Sequence, residues 1–224
     1  MVSNPPMAGR YDVCVVGSGP AGQRAAIELA RAGRRVSLVE KQSTVGGVCL
    51  HAGTIPSKAF RTAVLVMTNW RYENICCAHH HPTPPNAETA LTETTTRLLE
   101  HVFTVTDKEL AVIKKHMTRY GVDVLYGEAR FRNPNTLVLE DEGRETTLKA
   151  DAFVLACGTE ARRPTSIPFN DSTIIDSDQL YTAMKRLPRK LIIIGAGVIG
   201  MEYASIFSVL RSEEHTSELQ SLLI

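Results

Sequence analysis

The chain has 224 residues, 43% of them hydrophobic, which suits one large or two small packed domains and excludes wholesale disorder. Lys and Arg number 25 against 24 Asp and Glu, so no global field favours nucleic acid or an anionic membrane surface. No apolar run reaches the ~20 residues of a membrane span, residues 1–10 carry no apolar signal region, and the five cysteines do not read as a disulfide framework, so a reducing, cytoplasmic setting is expected.

In chain order, residues 1–10 are polar and expected to be disordered. Residues 12–16 (DVCVV) form a short continuous apolar run, as a strand buried on both faces should. The glycine turn 17–22 follows, then Ala25, Ala26, Leu29 and Ala30 at helical spacing, with Gly33 as a helix stop. Residues 36–39 are a second strand ending at Glu40. This β-turn-α-β order predicts a parallel sheet. After the glycine-rich turn at Gly46 and Gly47, Pro56-Ser57-Lys58 opens a helical segment carrying Ala59, Ala63, Val64 and Met67.

Residues 74–87 (NICCAHHHPTPPNA) lack periodicity and read as a surface loop. Their Cys and His residues are too closely adjacent for the usual metal spacings, so no metal site is expected. Residues 88–119 resume a helix, with Leu99, Phe103, Leu110, Ile113 and Met117 on one face. Strands are expected at 122–126 and 152–156, with turns at 133–135 and 141–143 making a small antiparallel excursion between them. Residues 191–194 (LIII) then start a second strand-turn-helix unit. Residues 211–221 (RSEEHTSELQS) match the in-frame translation of a common sequencing-library adapter, so 211–224 are expected to lie outside the fold.

Two glycine motifs carry chemistry. In Gly17-x-Gly19-x-x-Gly22, the first glycine permits a tight turn, the second lets backbone approach a pyrophosphate, and the third lets helix and strand pack. The helix N-terminus favours the phosphates, and Glu40, 23 positions after Gly17, would accept hydrogen bonds from an adenosine ribose. Gly195-x-Gly197-x-x-Gly200, followed by Glu202, repeats the pattern. Two such units imply two dinucleotides, whose natural use is hydride transfer between a flavin and a nicotinamide. The residue that would select NAD or NADP falls within the adapter-like stretch.

The segment from Gly46 to Lys58 (GGVCLHAGTIPSK) resembles the FAD-dependent pyridine nucleotide–disulfide oxidoreductase family, which carries a redox Cys-x4-Cys before Pro-Ser-Lys. Here Cys49 remains and Thr54 stands at the second position. A dithiol cycle needs two sulfurs, so disulfide reduction is excluded at this site unless a distant cysteine substitutes. With residues 156–159, 176–178 and 195–207, the pattern is similar to members that exchange hydride between two nicotinamide dinucleotides.

That resemblance implies a doubly wound parallel-sheet FAD-binding domain over 11–165 and the start of a nested NAD(P)-binding domain over 166–210, both incomplete. It implies that Gly17, Gly19 and Gly22 hold the FAD pyrophosphate and Glu40 its ribose. Lys41, Gly46, Gly47 and Cys49 would line the FAD, Ala129 would meet the adenine edge through its backbone, and Gly158 would close over the flavin. Gly195, Gly197 and Gly200 would hold the nicotinamide nucleotide, NAD(P)(H) being the substrate. Lys58, paired with Glu202, would stand at the flavin edge and stabilise the negative charge of reduced flavin. Thr54 has no acid–base role, because its hydroxyl has no useful pKa. The implied activity is hydride transfer from NADPH through FAD to NAD⁺ in a homo-oligomeric parent whose interface domain is not in this chain. Two other readings stay open: a diaphorase or dihydrolipoamide-dehydrogenase-like relative without the dithiol, and a non-catalytic FAD-binding fragment.

Overall fold

The computed structural model describes residues 10–74 and 87–210, with side chains described for 10–67 and 92–210. The expectations for residues 1–9, for the Cys/His/Pro loop and for the adapter-like stretch lie outside the described residues. Packing divides the chain into two compact units: residues up to His51 with Asp107–Glu160, and Ala52–Thr106 with Ala161 onward.

The first unit is built on a six-stranded sheet. Strand β1 (Tyr11–Val16) leads through a glycine turn into helix α1 (Pro20–Arg31), which returns the chain to β2 (Val36–Glu40). Every residue of β2 is buried, as a central strand in an α/β layer requires. Strands β3 (Asp123–Tyr126), β4 (Glu128–Asn133), β5 (Thr136–Asp141) and β6 (Arg144–Leu155) complete the order β3-β2-β1-β6-β5-β4. β3, β2, β1 and β6 run parallel, whereas β4, β5 and β6 are antiparallel.

Strand β6 belongs to both patterns. Its first half pairs with β5, from Asp141↔Arg144 to Thr136↔Lys149, and its second half with β1, from Tyr11↔Ala150 to Val16↔Leu155. The expected strand at 152–156 is therefore the end of a longer one. Its exposure also differs from expectation: Leu155 is exposed and Phe153 and Val154 are half-buried, so burial on both faces does not extend along it. Tyr11, Cys14, Val39, Leu125, Leu137, Leu139, Leu148 and Ala150 make one buried cluster that joins the parallel strands to the antiparallel ones. Burial pushes the Cys14 thiol up to about 11. Burial and the Asp123 carboxylate, to which the Tyr11 hydroxyl donates at 3.0 Å, push that phenol up to about 12.

The second unit is helical. Helix α3 (Thr54–Asn74), the first part of α4 (Ala87–Arg119), the short α5 (Leu180–Ala183) and α6 (Val198–Leu210) share one core. Phe60 is fully buried there, its ring 5.7 Å from those of Tyr181 and Phe207. The Tyr181 and Tyr203 hydroxyls pair at 3.0 Å, and burial raises both phenols above their ordinary range. Buried Thr95 accepts the Leu187 amide at 2.8 Å, which satisfies a polar side chain inside this core.

Two sequence expectations, the single stripe of α4 and the strand at 191–194, change here. Residues 52–106 pack with the C-terminal elements. The reason is the core of Ala59, Phe60, Val64, Leu98 and Val102 against Tyr203, Ile206 and Phe207. In α4 the buried positions are Thr95, Leu98 and Val102, then Ile113 and Met117, while Phe103 is 43% exposed. The helix serves two units along its length, so one stripe cannot describe it. Residues 191–194 form only an isolated bridge at Ile193. A parallel strand needs a ladder neighbour, and Ile192 and Ile194 remain 64% and 77% exposed among the described residues.

Candidate functional site

In the first unit the three motif glycines divide their work as the chemistry requires. Gly17 has φ +103, and a Cβ there would overlap the Ala156 carbonyl oxygen. A Cβ at Gly22 would overlap the Gly17 carbonyl oxygen, so this glycine lets α1 sit on the turn. Gly19 is different: among the described residues nothing lies within 4 Å of where its Cβ would be. It is the N-cap of α1 and supplies no side-chain cap, so the first-turn amides have no side-chain cap from that position. Open space over uncapped helical N–H groups fits a pyrophosphate.

Glu40 closes the turn from the neighbouring strand. It is only 6% exposed. One carboxylate oxygen accepts the Ser18 amide at 3.1 Å and the Ser18 hydroxyl; the other accepts the Gln42 amide at 2.9 Å. The Ser18 hydroxyl in turn accepts the Gly46 amide at 2.9 Å. The Gln23 side chain donates to the Ser18 carbonyl at 2.7 Å. Gly46 and Gly47 both have positive φ, and a Cβ on Gly47 would lie 2.9 Å from the Gly19 Cα. Gly47 therefore lies against Gly19 with no room for a side chain on Gly47. Burial and the Glu40 charge raise the Tyr126 phenol above its ordinary range.

Lys41 is exposed immediately after β2. Cys49 is a half-buried free thiol on helix α2 (Gly47–His51). Ala129 lies in β4 opposite Leu139 and packs against the unit's core. Gly158, just past β6, has φ +67 and open space around its Cβ position. These residues and the open cradle over Gly19 fit a dinucleotide such as FAD.

In the second unit the other glycine motif repeats the geometry in part: its third glycine is packed like Gly22, whereas its first stands in open space. Gly195 has φ +115; among the described residues nothing lies within 4 Å of a Cβ placed on Gly195 or Gly197, and a Cβ at Gly200 would overlap the Gly195 carbonyl oxygen. The Met201 amide bonds the Gly197 carbonyl at 3.0 Å, as the Gln23 amide bonds Gly19 at 2.9 Å in the first motif. Glu202, on α6, accepts the Ser57 hydroxyl of α3 at 3.3 Å. Lys58 is exposed, and among the ion pairs of the described residues none joins it to Glu202 within 4.0 Å. The structure thus brings Glu202 to the residue beside Lys58.

Sequence reasoning missed Ser18 and Ser57. Both are buried, and both donate to a carboxylate the sequence had singled out. The only signal for Ser18 was a small hydroxyl between two motif glycines, a position the pattern leaves open. Among the described residues, no group of three or more His, Cys, Asp or Glu side chains is placed to hold a metal ion. No described helix is long and apolar enough to cross a membrane.

A strand-to-helix glycine turn closed by a buried carboxylate on the neighbouring parallel strand, with a second glycine turn opening a helix later in the chain, is the build of an α/β dinucleotide-binding protein. The chain belongs to the pyridine nucleotide–disulphide oxidoreductase family, whose sequence profile matches residues 11–221. It is 39% identical over 209 residues to the soluble pyridine nucleotide transhydrogenase of Mycobacterium tuberculosis, covering 91% of this chain and 42% of that protein. It is 42% identical over 198 residues to the protein of the same name from Vibrio parahaemolyticus, covering 88% of this chain and 41% of that one. Among solved structures, the HOCl-induced flavoprotein disulfide reductase RclA from Escherichia coli matches with a TM-score of 0.70 at 26% identity, over 90% of this chain and 40% of that chain. The chain thus spans about two fifths of the length of the relatives it matches. Family membership makes FAD the implied cofactor, and the open cradle described above fits it.

Proposed function

We propose that this chain is the FAD-binding part, with the start of the nicotinamide-binding part, of an enzyme that transfers hydride from NADPH to NAD⁺. FAD, when bound, supplies the two-electron relay between the two nicotinamides. The observation that carries the reading is the duplicated glycine turn, open over Gly19 and again over Gly195 and Gly197. The transhydrogenase name shared by the relatives at about 40% identity supports it.

Each residue has a part in this reading. The amides at the start of α1 bind the FAD pyrophosphate, and Glu40 orients the adenosine ribose. Lys41, Gly46, Gly47, Cys49, Ala129 and Gly158 line the flavin nucleotide. Gly195, Gly197 and Gly200 receive the nicotinamide nucleotide. Lys58 supplies positive charge at the flavin edge, with Glu202 held nearby through Ser57. Thr54 stands where a dithiol would need its second sulfur, so the enzyme turns over on nucleotides alone. The free thiols of Cys14, Cys49 and Cys157 suit a reducing, cytoplasmic setting.

The test is anaerobic mixing of the FAD-loaded protein with NADPH and then with NAD⁺, followed by the flavin's visible absorbance. NADPH is expected to bleach it and NAD⁺ to restore it with no disulfide substrate present. Recovery only on addition of a quinone or dye acceptor would replace the transhydrogenase with a diaphorase. Absence of bleaching in a protein that holds FAD would leave a flavin-binding fragment.

A further inference from the structure

We propose that Ser18 is a positioning residue for recognition of the adenosine ribose, acting through Glu40; this rests on the reading that Glu40 meets that ribose. The proton count at the Ser18 oxygen fixes its bonding. The Gly46 amide can only donate, so at 2.9 Å the Ser18 oxygen must accept from it. The single hydroxyl proton is then free for one other partner, and the Glu40 carboxylate is in reach. Ser18 has no exposed surface, so water does not compete for that proton.

The same carboxylate oxygen takes the Ser18 amide, and the other takes the Gln42 amide. A carboxylate has about four lone-pair directions, so three are used within the protein and one is left for a ligand hydroxyl. Ser18 thereby sets the angle at which Glu40 presents that last direction. It also ties Glu40 to the Gly46 segment, which leads into α2 and Cys49. Removing the hydroxyl orphans the buried Gly46 amide and leaves the carboxylate held by the Ser18 and Gln42 amides alone, with its third anchor gone.

The experiment is a fluorescence titration of the full chain with FAD and with its 2′-deoxyadenosine analogue. Wild type, Ser18→Ala, Ser18→Cys and Glu40→Gln are compared, with circular dichroism confirming the fold of each. Wild type is expected to prefer FAD by about tenfold, the effect of one hydrogen bond to a charged group. Ser18→Ala is expected to bring the ratio within about twofold of unity, as Glu40→Gln does, and Ser18→Cys, a weaker donor of similar size, to fall between. If Ser18→Ala does not fold, the Cys variant decides. A wild-type ratio in a folded Ser18 variant, alongside its loss in Glu40→Gln, overturns the inference and leaves the Glu40 reading standing. A ratio near unity in the wild type removes the ribose reading, and the role of Ser18 falls with it.

Discussion

An alanine at Gly22 would drive its Cβ into the Gly17 carbonyl oxygen, whereas an alanine at Gly19 would meet nothing within 4 Å. The obstacle at Gly22 is backbone, which cannot swing aside as a flexible side chain would. Gly22→Ala is therefore expected to lose about 3 kcal/mol of stability, at the upper end of overpacking costs. Gly19 already has φ −64 and an extended ψ, which alanine adopts without strain. Gly19→Ala is expected to keep its stability within about 0.5 kcal/mol, as substitutions free of contacts do. Its methyl group would occupy the space assigned to the pyrophosphate, so FAD affinity should fall at least about tenfold, the equivalent of one lost charge-assisted hydrogen bond. Thermal unfolding paired with FAD titration separates the two variants. Equal loss of stability in both would mean that Gly19 is a packing glycine and that the open cradle is not the phosphate seat.

At the scale of elements, the hairpin between β5 and β6 is set by two residues. Glu142 has φ 46 and Gly143 φ 78, the paired positive values of a type I′ turn. Nothing lies within 4 Å of a Cβ on Gly143, so a substitution there meets only conformational cost. Gly143→Ala should destabilise by about 1–2 kcal/mol, and Glu142→Asn should stabilise by several tenths, roughly 0.5 kcal/mol. Denaturant melts of the two variants check the signs; a neutral Gly143→Ala would mean that the turn relaxes to another type. This turn was legible from Asp141-Glu142-Gly143, because the chemistry of a tight turn is contained in its own residues. The same holds for the β-turn-α-β unit around Gly17, whose strands and helix each carry their own period. Residues 191–194 were misread because a strand is made by its ladder neighbours, and four apolar residues do not specify any. The exposed Phe103 was misread because helical spacing gives a stripe without saying what covers it. Glu40 could be named from its distance to the glycines. Its hold on Ser18 could not, since the link joins two adjacent parallel strand ends and depends on their register, Val16↔Val39.

For the molecule as a whole, the question is whether the two units lose structure together. The helical unit centres on Phe60, whose ring contacts Tyr181 and Phe207 from segments far apart in sequence. Phe60 is fully buried, so Phe60→Ala should cost that unit about 3–5 kcal/mol through lost transfer energy and the cavity left behind. The sheet unit draws on different residues: Tyr11, Cys14, Val39 and Leu125 on one cluster, with β2 buried along its whole length. None of those contacts involves Phe60. Native-state amide exchange on Phe60→Ala should therefore show protection falling across α3, α5 and α6, while the amides of β1 and β2 keep wild-type protection. Helix α4 supplies residues to both units and serves as the internal gauge: its amides near Leu98 and Val102 should open, and those near Ile113 and Met117 should stay closed. A uniform fall across β1, β2 and the helices would show a single cooperative structure, with FAD binding at the first glycine turn sensitive to Phe60.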